Sequence, residues 1–315
     1  MNEIRLAVVG VGAFGQNHLR VIKENPRANL AAVVDTDPAK ASSAAQAHNC
    51  PAFRNVEELT GQVDAAVVAT PTSTHAAIAC TLLRNGIDVL IEKPIASDTV
   101  SAQQILHAAG TDRIVQVGHL ERYNSAVLAL RKIVTTPLFF EIHRMSAFSA
   151  RSLDVDVVLD LMIHDIDLVL EMVGQLPNEI RAAGISILSK KVDIANVRLA
   201  FATGCVANIT ASRVSTERIR KMRLFQPGQY VSIDYTRQDG AVFTVSAGQQ
   251  IGFQTLAVGS KQEPLKLQLD AFLDCLVTRS KPLVGAEEAT HTLGVALDIL
   301  AKIEEHAAIV SNSLG

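Results

Sequence analysis

Three groups of residues have the types and spacing for chemistry. Gly10-x-Gly12-x-x-Gly15 lies between an apolar run and a helical stretch, the context in which a glycine turn cradles a pyrophosphate. Gly10 permits the tight turn, Gly12 lets the backbone approach the phosphates, and Gly15 lets helix and strand pack closely. The helix amino terminus, with Ala13 and Phe14, offers unpaired N–H groups to the phosphates. Asp35 ends the second apolar run, where a carboxylate accepts hydrogen bonds from the adenosine ribose. Thr36 and Asp37 follow it with no adjacent cation, so a 2′-phosphate meets repulsion and NAD is expected over NADP. The bland alternative is a structural glycine turn with Asp35 capping a helix.

The second group is Glu92-Lys93-Pro94, directly after the apolar run Asp88–Ile91. Ligands of open α/β sheets bind outside the carboxyl ends of the strands, so a lysine there is placed for chemistry. Its ammonium can stabilise a developing alkoxide, lower the hydroxyl pKa or exchange the proton. A lysine reaching into solvent is the competing reading. Thr70, Pro71, Thr72 and His75, at the end of the preceding strand, are candidates to line the cofactor cleft together with Glu92 and Lys93. Ser73 or Thr74 equally suits a helix cap.

The third group is a polar stripe on the apolar stretch Val155–Val173. At about 100° per residue, His164 lies roughly 40° to one side of Asp160 and Asp167 roughly 20° to the other, with Asp156 near the same line. An acid and a histidine one turn apart can hydrogen-bond, which sets the imidazole tautomer and makes it a candidate general base toward a hydroxyl proton. A solvent-facing stripe is the alternative, and Asp165 is expected on the opposite, exposed side.

The elements that must carry these groups are legible as pattern. To about residue 118, runs of Val, Ile and Ala alternate with helical stretches, as in a parallel sheet covered on both faces. After Tyr123 come helical stretches around Ala126–Ile133 and Val155–Val173. Alternating segments then run from Ile180 to Val245, and two closing helices cover Leu265–Arg279 and Glu287–His306. The expected fold is α/β plus α+β: a Rossmann dinucleotide-binding domain over 1–120, and a substrate-binding and oligomerisation domain over 121–315 with a largely antiparallel open sheet. One face of that sheet is left over after the helices pack.

Bulk properties narrow the function. The 315 residues exceed one typical core. A net charge of -3 gives no global field for nucleic acid or an anionic membrane, and no apolar run has the length of a membrane span. A mean hydropathy of +0.23 leaves apolar surface to hide, for which a homodimer or homotetramer interface on the spare sheet face is the expected place. The cysteines at 50, 80, 205 and 275 lack metal-ligand spacing and read as free thiols of a cytoplasmic protein; no metal is expected.

Taken in order, the glycine motif, Glu92-Lys93-Pro94, Gly118-His119 followed by Arg122-Tyr123-Asn124, and Asp160-x-x-x-His164 resemble the glucose-fructose oxidoreductase/inositol dehydrogenase (Gfo/Idh/MocA) family over nearly the whole chain. The resemblance implies that Lys93, Asp160 and His164 flank a sugar carbon exchanging hydride with nicotinamide, His164 being the base. Val157-Val158 stand where many members carry paired glycines, which bears on pocket shape. The stretches 118–124 and 212–215 are most similar to the branch of UDP-N-acetylglucosamine 3-dehydrogenases. That implies a nucleotide-sugar substrate, with Arg122 on a phosphate and His119, Tyr123 and Asn124 on sugar or nicotinamide. Inositol or free-sugar dehydrogenation, and a non-catalytic NAD sensor, are the alternatives. The cations Arg213, Arg218, Arg220, Lys221 and Arg223 suit either a diphosphate or, more commonly, protection of a sheet edge.

Overall fold

Ile4–Val9 (β1) and Ala65–Val68 (β4) meet in the middle of a sheet whose strands read as unbroken apolar runs because both faces are covered. The computed structural model describes residues 3–148, 155–245 and 250–314. The chain divides into two units, Met1–Leu120 with Glu263–Thr290, and Glu121–Gln262 with His291–Gly315.

In the first unit β1 and β4 are joined by β2 (Ala28–Val34), β3 (Ala52–Phe53), β5 (Asp88–Ile91) and β6 (Val115–Val117). All pairings are parallel, in the order β3-β2-β1-β4-β5-β6. The crossovers contain α1 (Ala13–Glu24), α2 (Pro38–His48), α3 (His75–Arg84) and α4 (Thr99–Ala109). The order of strands reverses between β1 and β4, so a crevice opens beyond their carboxyl ends. The doubly wound architecture expected from the sequence is present.

One boundary differs from the expected division at 120. Helix α7 (Pro264–Thr278) belongs to the first unit: Leu265, Leu269, Phe272 and Leu273 join the core that contains Leu19, Ile22 and Leu30. These residues recur at helical spacing, so they form one apolar stripe. Asn25 donates to Asp270 at 2.8 Å, and Arg27 pairs with Asp274 at 2.6 Å. A periodic stripe identifies a helix but not the sheet it returns to.

The second unit is built on an eight-stranded sheet: β7 (Phe139–Ala147), β8 (Glu179–Ile185), β9 (Ile194–Ala200), β10 (Val206–Ser215), β11 (Ile219–Gln226), β12 (Gln229–Asp234), β13 (Asp239–Val245) and β14 (Ile251–Thr255). The order is β14-β13-β12-β11-β7-β10-β9-β8, antiparallel throughout except that β7 runs parallel to β10. Helix α5 (Ser125–Arg131) and the helical stretch from Val158 to Val173 contribute side chains to the inner core, as does the middle of α8 (Ala286–Leu314), through Val295, Ala296, Ile299 and Ile303.

The other sheet face is organised in rows. Phe139, Phe225, Tyr230, Phe243 and Phe253 form an aromatic ladder across five strands, with successive ring centroids 5.8, 4.8, 5.1 and 5.0 Å apart. The next row is charged and polar, with Arg223 on Glu141 at 2.9 Å and Arg198 on Asn208 at 3.2 Å. The spare face is therefore aromatic along one row, not apolar throughout.

Candidate active site

The glycine turn has the shape its motif requires. A Cβ at Gly10, where φ is +87°, would lie 2.8 Å from the Ala69 carbonyl, and one at Gly15 would lie 2.0 Å from the Gly10 oxygen. At Gly12 the same atom would meet nothing within 4 Å, leaving the turn open on the side where a diphosphate approaches. Gly12 caps α1, whose first turn at Ala13, Phe14 and Gly15 presents N–H groups without intrahelical acceptors. Half the exposure of Phe14 is retained, a large apolar surface beside that turn.

A cleft of about 570 Å³ opens at the carboxyl ends of the central strands, lined by Gly10, Gly12, Asp35, Arg54, Thr70 and Pro71 among others. Asp35 accepts from the Val11 N–H and, through its other oxygen, from the Asp37 N–H, both at 2.9 Å. It thereby fastens the glycine turn to the end of β2. A carboxylate has about four acceptor sites, so two remain for ribose hydroxyls. These residues fit a dinucleotide. Two cations read past in the sequence, Lys40 and Arg54, also line this cleft, Lys40 lying 3.7 Å from Asp37. No cation directly follows Asp35 in sequence, but α2 and the residue after β3 bring these two charges into the same cleft.

Thr70 and Pro71 line the cleft as expected, while Thr72 starts a short 3₁₀ turn. The Thr74 hydroxyl bonds to the Thr70 hydroxyl at 2.8 Å and to the Pro71 carbonyl at 2.7 Å, so it stiffens the loop without capping α3. His75 and Glu92, both expected at the cofactor, make buried contacts within the protein. The buried His75 ring lies 3.0 Å from the Pro94 carbonyl and 2.9 Å from that of Thr70. Buried Glu92 meets His18 Nε2 at 2.7 Å. Lys93 stands between Glu92 and Pro94 with its side chain half-buried.

In the second unit, Asp160 lies in a π-helical turn (Val158–Met162), closed by the Ile163 N–H reaching the Val158 carbonyl five residues back. A wider turn rotates less per residue, which brings Asp160 and His164 closer to one line than a uniform α-helix does. Such turns often occur at functional sites. Both side chains are half-buried. His164 then opens α6 proper (Ile163–Val173).

The rest of the expected stripe is otherwise engaged. Asp156 accepts from the Val192 N–H at 2.9 Å, and Asp167 is buried against Arg122, at 2.5 and 3.1 Å. Asp165, expected in solvent, is fully buried and holds Arg144 in a bidentate pair at 2.6 and 2.8 Å. Arg144 also reaches Glu121 at 2.9 Å and lies over the Tyr235 ring, 5.0 Å from its centroid. These inward charges fix α6 from its core side, and an arginine facing inward from β7 has no signature in sequence.

The residues expected to touch substrate have partners within the protein. Arg122 is 3% exposed and pairs its guanidinium with Asp167 and Glu171. Asn124 caps α5, accepting from the Ala126 N–H at 3.1 Å and donating to the Tyr235 carbonyl at 2.9 Å. His119 and Tyr123 are buried. The basic cluster also divides. Arg220 pairs in register with inward-facing Arg144, and buried Arg213 bonds to the Val155 carbonyl, whereas Arg223 meets Glu141 on the outer face. Strand β11 is interior, between β12 and β7, so edge protection is not its purpose.

A sheet ordered β3-β2-β1-β4-β5-β6, with a glycine turn and an acidic strand end at its crevice, defines a dinucleotide-binding protein. Residues 4–119 match the oxidoreductase family, NAD-binding Rossmann fold, and residues 132–226 match the GFO/IDH/MocA C-terminal domain. The chain is 34% identical over 310 residues to UDP-N-acetylglucosamine 3-dehydrogenase of Acidithiobacillus ferrooxidans, covering 96% of this chain and 98% of that one. A solved structure of that enzyme superposes with a TM-score of 0.91 at 31% identity, over 97% of this chain and 99% of the other. Inositol 2-dehydrogenase of Rhizobium meliloti is 29% identical over 231 residues, 68% of this chain and 70% of that one. The chain belongs to the glucose-fructose oxidoreductase/inositol dehydrogenase family, whose amino-terminal domain binds NAD.

Proposed function

We propose that this dehydrogenase oxidises C3 of the N-acetylglucosamine unit of UDP-N-acetylglucosamine to the ketone. The carrying observation is similarity, along nearly all of both chains, to an enzyme of that name. Bound NAD supplies the hydride acceptor, and the protein's own groups handle the proton. His164 takes the hydroxyl proton, with Asp160 one turn away setting its tautomer. The Lys93 ammonium stabilises the alkoxide that develops as the proton leaves. Gly10, Gly12, Ala13, Phe14, Gly15 and Asp35 hold the dinucleotide, Thr70 and Pro71 bounding its cleft.

Inositol or free-sugar oxidation is the second reading, favoured by the similarity to inositol 2-dehydrogenase. The deciding experiment incubates the protein with NAD and a panel of UDP-sugars, inositols and free hexoses while following reduced nicotinamide. NADH formation with UDP-N-acetylglucosamine is expected; turnover with inositols or free sugars only would overturn the nucleotide-sugar assignment.

We also assign the aromatic row of the second unit's sheet to a homodimer or homotetramer interface, since Phe253 and Ile251 remain 66% and 76% exposed there. The cytoplasm is the proposed compartment: Cys80, Cys205 and Cys275 are buried free thiols, and burial pushes Cys205 up to about 11. Among the described residues, no helix is long and apolar enough to cross a membrane.

A further inference from the structure

From Ile87 to Ala96 every residue is buried except Lys93. The two residues flanking that lysine are each held by a buried imidazole from a different helix. On one side the Glu92 N–H donates to the Val68 carbonyl at 2.9 Å, which is sheet pairing, while its carboxylate meets His18 Nε2 at 2.7 Å. That carboxylate fills the space beside Gly118, where a Cβ would come within 3.0 Å of Glu92 Oε2. On the other side His75 Nδ1 meets the Pro94 carbonyl at 3.0 Å. His18 is on the buried face of α1, three residues after Gly15, and His75 opens α3; both rings are 1% exposed.

We propose that His18 and His75 are positioning residues for Lys93, fixing the backbone on either side so that the ammonium starts from one place. The inference rests on the role given to Lys93 above. Neither imidazole reaches the reacting atoms; each acts through its neighbour of the lysine. Packing alone would be met more cheaply by leucine, since a buried polar ring costs free energy unless its nitrogens are satisfied. His75 does a second task, because its Nε2 lies 2.9 Å from the carbonyl of Thr70, a residue of the dinucleotide cleft. A singly protonated ring donates to one of the two carbonyls, and a doubly protonated ring to both. Burial pushes this ring below its ordinary pKa, and the two carbonyls and Glu92 pull it back.

The two nitrogens of His75 can be tested separately, since an Asn amide stands near the place of Nδ1 and a Gln amide near that of Nε2. The assay uses whichever sugar of the panel turns over, with NAD affinity from calorimetry and folding from thermal melts. His75→Gln is expected to lower kcat at least tenfold and leave NAD affinity within twofold. His75→Asn should do the reverse, keeping kcat and weakening NAD. His18→Leu should lower kcat at least tenfold, and His18→Gln, which restores a donor toward Glu92, should recover most of it. Lys93→Met with unchanged turnover would remove the role of Lys93 and this inference together. Loss of turnover in Lys93→Met, with kcat kept in both His75→Gln and His18→Leu, would overturn the positioning role alone. So would equal losses in His75→Asn and His75→Gln. Should His18→Leu fail to fold, the His75 pair decides.

Discussion

In the proposed cofactor site the choice between NAD and NADP turns on Asp35, whose surroundings are richer than its neighbours in sequence suggest. Its carboxylate repels a 2′-phosphate, while Lys40 and Arg54 line the same cleft. Removing the repulsion leaves those cations: Asp35→Ser should raise kcat/KM for NADP relative to NAD by about tenfold or more, the equivalent of about 1.4 kcal/mol. Steady-state rates with both cofactors check this. At the proton site, Lys93→Met and His164→Ala should each lower kcat by roughly 10²–10⁴-fold, the range of a lost general acid–base group, with NAD affinity little changed. A further residue sets an acid limit. Burial pushes the Asp193 carboxyl up, but hydrogen bonds from the Ser189 hydroxyl and the N–H groups of Ser189, Ile187 and Leu188 outweigh it, lowering the group from 3.8 to about 2. A depressed carboxyl stabilises the fold fully above its unfolded value and loses that contribution as pH falls through the folded one. Asp193→Asn should therefore be less stable than the parent at neutral pH, and the difference should close between about pH 4 and pH 2 in denaturant titrations. Lys93, Asp160, His164 and Asp35 could be proposed from the sequence, through residue type and place in the chain and, for the first three, through the family resemblance as well. His18 and Arg54 could not, since His18 matters through Glu92, 74 residues away, and Arg54 through the cleft that the fold brings it to.

Helix α6 displays how an element can be found while its faces are misread. Its apolar residues mark it as a helix, but the stripe of Asp156, Asp160, His164 and Asp167, with Asp165 on the opposite side, does not foretell which acids are buried. Asp165 and Asp167 face inward because Arg144 and Arg122 wait there, each pair satisfying charges that would otherwise be costly to bury. Breaking such a pair on one side leaves an uncompensated charge: Asp165→Asn should cost about 3–5 kcal/mol in urea unfolding. The paired replacement Arg144→Met with Asp165→Leu should cost much less, and its turnover would report how far the ion pair sets His164. Strand β7 escaped notice for the same reason. Its inward positions are Phe140, Ile142 and Arg144, and the arginine interrupts the apolar alternation. Strand β14 is exposed at all five residues, so it carries no alternation at all.

At the scale of the whole molecule, the doubly wound sheet could be read from the chain because its strands are short apolar runs in sequential order. The second sheet could be read as strands but not as an order, since the parallel pairing of β7 with β10 joins segments some sixty residues apart. If the aromatic row is the subunit interface, a charge placed in it should separate the subunits. Phe243→Glu is expected to halve the mass measured by light scattering while the thermal melt of the protein stays cooperative; an unchanged mass would remove the row from the interface.

The return of Glu263–Thr290 to the first unit has a consequence for biosynthesis. Four apolar side chains of the nucleotide-binding core, Leu265, Leu269, Phe272 and Leu273, are translated only after the whole strand series of the other unit. At the ribosome, where domains ordinarily fold as they emerge, the dinucleotide unit has to wait, its core open on the side that α7 covers. The core of the dinucleotide unit is thus completed only after every strand of the other unit has been made.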